Sequence, residues 1–151
     1  LFRTVIAEVQ ETYPLFRPAI EDTGAEIELF GGAYHVIYDS FYVAIFNAAK
    51  HGKENGEVTR RFHFSTDEIG AQTLVCEITS ELRDDESETE VASRLAVPPE
   101  ELDNVKNAQV FEGRSGIRKL HQLALVDRKF RIRAIECRNR KVYLAFEYVL
   151  N

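Results

Sequence analysis

Apolar positions recur along this chain with two periods, near 3.6 and near 2, and the changes of period mark its elements. Val5, Ile6, Val9 and Tyr13 fall at i, i+1, i+4 and i+8, which predicts a helix over roughly 2–20, disturbed at its end by Pro14 and Pro18. Glu26 to Phe30 alternates as a short strand would, closed by Gly31 and Gly32. A second helix follows over roughly 34–50. Ile37, Phe41, Ala44, Ile45 and Ala48 form its apolar stripe, Tyr38, Tyr42 and Phe46 widen it, and Gly52 stops it. Such a helix must be largely buried.

After a turn at 54–57, Val58, Arg60, Phe62 and Phe64 alternate. Thr73 to Leu82 alternates again, with Leu74, Cys76 and Ile78 on one side, so the two runs predict an antiparallel hairpin. Residues 83–90 are almost all polar or acidic and predict a solvated loop. A short helix starts near 91–95, and Pro98-Pro99 opens another. The whole segment 83–112 has weak core character and is expected to be mobile. Ser115 is placed to cap a helix over about 117–126, with Ile117, Leu120, Leu123 and Ala124 on its buried side. Two strands, 129–137 and 141–150, close the chain around the short connection Arg138-Asn139-Arg140.

This order of elements predicts an α+β two-layer sandwich: a mixed, mostly antiparallel sheet with helices on one face. The 151 residues suit a single domain. The net charge of −6 argues against a general nucleic-acid binder. No apolar run approaches the ~20 residues that span a bilayer, and no signal-peptide pattern opens the chain, so neither a membrane nor export is expected. Cys76 and Cys137 sit in strand-like runs and read as small buried hydrophobes, which fits a cytoplasmic setting. The chain opens on Leu1 and contains no Met, as expected of a piece of a longer protein.

Chemistry concentrates at two places. Asn47, Lys50 and His51 fall at i, i+3 and i+4 at the end of the second helix and so share one patch. An Asn carbonyl can ligate a divalent ion, and a Lys is a point charge for a phosphate. Alternatively, Lys50 and His51 merely suit the negative end of the helix. Gly113-Arg114-Ser115-Gly116 precedes a helix, where glycines let a ligand approach and free N–H groups attract phosphate; Arg118 and Lys119 add positive charge. An ordinary loop-to-helix turn would look the same. His35, His63 and His121 are scattered without metal-ligand spacing. Lys129, Arg131 and Arg133 alternate on one strand face, with Arg138, Arg140 and Lys141 at the following turn. That strip suits either a solvated face paired with carboxylates, an acidic partner or nucleic acid, or a neighbouring domain.

Taken together and in this order, from about Glu26 to Leu150, these features resemble the nucleotide-binding domain of the GHKL superfamily, the Bergerat-fold ATPases of histidine kinases, type II topoisomerases, heat-shock chaperones and mismatch-repair proteins. Asn47-Ala48-Ala49-Lys50-His51-Gly52 is similar to the family's N box. The resemblance implies ATP or ADP with magnesium as ligand. Asn47 would be the magnesium-coordinating amide, and Lys50 and His51 would lie near the phosphates or ribose. Gly113, Arg114, Ser115 and Gly116 resemble a shortened second glycine box that would cradle phosphate, and 83–112 would be the nucleotide lid.

Two positions depart from the family pattern. Four residues before the N-box Asn the hydrolysing branches carry a Glu that activates water; here Val43 stands there and takes no proton. The Asp-x-Gly-x-Gly box expected after the strand 73–79 is replaced by Ser80-Glu81-Leu82-Arg83-Asp84, which leaves Ser80, Glu81 or Asp84 to meet the adenine. No catalytic residue is assigned. Three functions follow as expectations. The first is a divergent adenine-nucleotide-binding regulatory module that does not hydrolyse on its own. The second is a nucleotide-free structural or homodimerisation module. The third is a phosphotransfer domain working with other domains of a parent protein.

Overall fold

The computed structural model describes residues 1–24, 26–96 and 115–150. Among them run helix α1 (Phe2–Thr12), strand β1 (Ala19–Gly24), helix α2 (Gly31–His51), strands β2 (Glu57–Thr66) and β3 (Gln72–Glu81), helices α3 (Glu88–Leu95) and α4 (Ser115–Val126), and strands β4 (Phe130–Arg138) and β5 (Lys141–Val149). The strands form one sheet in the order β1-β2-β3-β5-β4, in which only β1 and β2 pair in parallel. The α+β sandwich read from the periodicity is the architecture observed.

The core lies between the sheet's inner face and α1, α2 and α4. Phe2, Val5, Ile6 and Val9 bury one side of α1. Phe41 of α2, fully buried, is the aromatic hub: its ring meets Phe2, Phe62 and Phe146 at centroid distances of 5.4, 5.7 and 6.2 Å. One such buried ring is worth about 3–5 kcal/mol when truncated to Ala. The outer face of the sheet is polar and tied across strands. Tyr143 Oη donates to Glu77 at 2.5 Å, and Arg131 and Arg133 each lie 3.7 Å from Glu147. The strip Lys129–Arg133 is thus paired with carboxylates at these two arginines. Cys76 and Cys137 are buried free thiols, and no described helix is long and apolar enough to cross a membrane.

The first strand differs from expectation. It is Ala19–Gly24, not residues 26–30, and α1 stops at Thr12 rather than reaching 20. Pro14 ends α1, and the backbone then docks on the turn before β2: Arg17 N–H donates to Glu54 O at 2.7 Å and Ala19 N–H to Gly56 O at 2.9 Å. As an edge strand β1 buries almost nothing, so it has no alternation to read. Gly24 has φ +103°, and a Cβ there would stand 2.0 Å from Phe62 O, so the position needs glycine. The β4–β5 connection is the two-residue loop Asn139-Arg140, both at positive φ (53° and 61°), in the twist that a tight hairpin requires.

The acidic run is also more ordered than a solvated loop. Ser87 caps α3, its Oγ accepting from Glu90 N–H at 3.3 Å, and α3 begins at Glu88 rather than 91. Val91 packs with Leu82 and Cys137 in a small satellite core. The expected helix after Pro98 lies outside the described residues, as does the rest of 97–112.

Candidate functional site

The site forms where α2 ends. The last turn of α2 is stitched to the end of β3. Gly52 N–H closes on Ala48 O at 2.8 Å, Lys53 N–H donates to Glu81 O at 3.0 Å, and Arg83 N–H donates to His51 O at 3.1 Å. A Cβ at Gly52 would stand 2.3 Å from Ala48 O, so the chain can turn this tightly only with glycine. This stitching fixes Asn47 and His51 beside Ser80.

Asn47 and Ser80 line two small cavities of ≈ 30 and ≈ 20 Å³. His51, Val91 and Arg94 border the first, Val43 and Ile78 the second, and Leu95 and Ile117 reach both. The first holds about one water, whereas small-molecule sites usually measure ~300–1,000 Å³.

The first turn of α4 abuts the same patch. A Cβ on Gly116 would lie 3.2 Å from Val43 Cγ1 and 3.6 Å from Asn47 Nδ2. Two motifs far apart in sequence therefore touch, and Val43 serves as the packing surface for the glycine. Gly113 and Arg114 lie outside the described residues. Ser115 is the first helical residue of α4 rather than the residue before it. Of the neighbouring cations, Arg118 is buried and Lys119 turns to Asp39 of α2 at 3.6 Å.

Lys50 and His51 separate. Lys50 does not border either cavity and, among the described residues, forms no ion pair. His51 Nδ1 lies 3.1 Å from Glu86 Oε1. Glu86 also receives Arg83 Nη2 at 3.2 Å and Arg94 Nη2 at 3.0 Å. His51 and then Arg94 hold its carboxyl below the ordinary range against the opposing effect of burial. Sequence reasoning passed over Glu86 and Arg94 because they sit in or beside a run that looks solvated. One signal was available: Ser87-Glu88-Thr89-Glu90 has the spacing of a capping box and marks a helix start inside the acidic run.

Of the three substitutes for an adenine-binding carboxylate, only Ser80 faces the cavities. Glu81 Oε2 accepts from Glu57 N–H at 3.1 Å, and Asp84 is exposed beside Lys53. Ser80 is buried and offers a hydroxyl, one donor and two acceptor lone pairs. No three His, Cys, Asp or Glu side chains gather as a metal site among the described residues. The Asn47 amide carries a carbonyl oxygen of the kind that hard divalent cations accept as a ligand.

No family model matches the chain. It is 34% identical over 124 residues to Detocs histidine-protein kinase DtcA of Vibrio alginolyticus, a match covering 82% of this chain and 12% of that relative. The chain thus spans about an eighth of the relative's length. Among solved structures it is similar to the Acinetobacter baumannii histidine kinase AdeS (TM-score 0.62, 14% identity, 99% of this chain and 65% of that one). It is also similar to the catalytic domain of histidine kinase ThkA (TM-score 0.62, 14% identity, 98% and 88%) and to the mycobacterial sensor histidine kinase MprB (TM-score 0.58, 16% identity, 98% and 91%). The sheet order and the helices on one face agree with these structures: the chain has the fold of the histidine kinase ATPase domain.

Proposed function

We propose that this domain binds an adenine nucleotide with magnesium and uses that binding as a conformational signal within a larger histidine kinase-like protein. The observation that carries this is the contact of Gly116 with Asn47 and Val43, which joins the N box to the second glycine box. Asn47 would supply one oxygen to the metal, the N-terminus of α4 would face phosphate, and Ser80 would meet the base. When bound, the metal would neutralise phosphate charge. The chain's own residues bind and orient. Val43, buried against α4, neither accepts a proton nor holds a water, so water activation is not assigned to this chain.

A second reading, a structural module without nucleotide, is favoured by the small volume of the two cavities that Leu95 and Ile117 line, well below that of a usual small-molecule site. Calorimetric titration with Mg·ATP decides between the two. The first reading predicts binding by the chain and a loss of at least about tenfold in affinity for Asn47→Ala, the ratio that ~1.4 kcal/mol represents. Absence of heat at millimolar nucleotide, with no change in melting temperature, supports the second. Phosphotransfer to a histidine elsewhere in the parent protein is a further proposal, drawn from the kinase relative.

A further inference from the structure

His51, Arg83 and Arg94 come from three different pieces of the chain, namely the end of α2, the loop after β3 and the last turn of α3. Their nitrogens converge on one carboxylate at 3.0–3.2 Å. Glu86 is only 14% exposed, whereas its neighbours Asp84 and Asp85 are 92% and 73% exposed. A single carboxylate has thus been drawn out of an otherwise solvated run and seated among two guanidinium groups and an imidazole. Charge-assisted bonds of this kind are the stronger class of hydrogen bond.

Arg140, at the tip of the β4–β5 turn, holds the same segment from the other side. Its guanidinium donates to Glu86 O and Arg83 O, each at 2.7 Å, and its backbone N–H donates to Glu88 Oε1 at 2.6 Å. Between these two attachments α3 lies with Val91 and Leu95 on the cavity beside Asn47 and Ser80.

We propose that His51, Arg83 and Arg94 form an anion seat which the chain fills with its own Glu86, and that this carboxylate latches α3 across the cavity beside Asn47. The latch is autoinhibitory. A nucleotide enters when α3 swings away, and a phosphate group then takes the place of the Glu86 carboxylate at the vacated donors, His51 remaining in place on α2. This rests on the nucleotide-binding reading above. A closed state that must open lowers apparent affinity by the fraction of open molecules.

The test compares the unaltered chain with Glu86→Gln, which keeps the side chain's shape and removes its charge. A second variant, Arg140→Ala, removes the guanidinium that holds the backbone of Arg83 and Glu86 and leaves the three side chains of the seat unaltered. Mg·ADP affinity is measured by calorimetry, and amide hydrogen exchange is followed over 88–95. Both variants are expected to bind Mg·ADP about tenfold more tightly and to exchange faster in α3, as a segment with less local stability does. Binding by the unaltered chain with unchanged or weaker affinity in both variants overturns the latch and leaves the nucleotide reading intact. No binding by any of the three proteins removes the nucleotide reading, and the gate with it.

Discussion

Gly116 shows how one residue links two motifs. The space between its Cα, Val43 and Asn47 admits at most a methyl group, and that tightly. Gly116→Val is therefore expected to lower stability by about 1–3 kcal/mol, as overpacking does, measured by chemical denaturation. A variant as stable as the parent would mean that α4 and α2 are not held this closely. Cys76 offers an independent check on the core. Burial pushes its thiol well above the ordinary range, so little thiolate forms at neutral pH. Labelling with an alkylating reagent is expected to leave Cys76 unmodified in the native protein and to modify it on unfolding. Asn47 and Gly116 were both legible in the sequence, because the spacing of chemically distinctive residues on a helix survives without any structure. The contact between them was not, since nothing in either segment encodes its distance from the other.

Among the elements, α2, the β2–β3 hairpin, α4 and the β4–β5 hairpin were legible because each buries one face and so carries a period. β1 was missed for the opposite reason. It is an exposed edge strand placed by backbone bonds to the turn at 54–56. The loop leading into α3 was hidden by its charge: acidic composition argues for solvent, yet Glu86 is enclosed by His51 of α2, Arg83 of its own loop and Arg94 of α3, with Arg140 on its backbone. This predicts a pH response. The folded-state pKa of Glu86 lies below its ordinary value of 4.5, so its contribution is present above that value and is lost as pH falls through the depressed one. The Val91 methyl resonances are expected to report loosening of α3 only below the ordinary carboxylate range, and Glu86→Gln should remove that transition. A transition unchanged in the variant would assign it to another carboxylate.

For the whole molecule, the sheet and α2 share one core centred on Phe41, while α3 rests on a satellite of three buried residues. Phe41→Ala is expected to cost about 3–5 kcal/mol and to lower the melting temperature of the entire domain, whereas changes around α3 should act locally. That division between a rigid scaffold and a weakly based element suits a domain that signals by rearranging one piece. The patch joining Asn47, Ser80 and Gly116 is proposed to receive a nucleotide. The most direct test is an amide NMR titration of the domain with Mg·ADP. Saturable shifts are expected, concentrated at the Asn47 side-chain amide, Ser80, His51 and Gly116, with changes through α3. Spectra unaltered at millimolar Mg·ADP, or shifts confined to surface residues away from this patch, would contradict it.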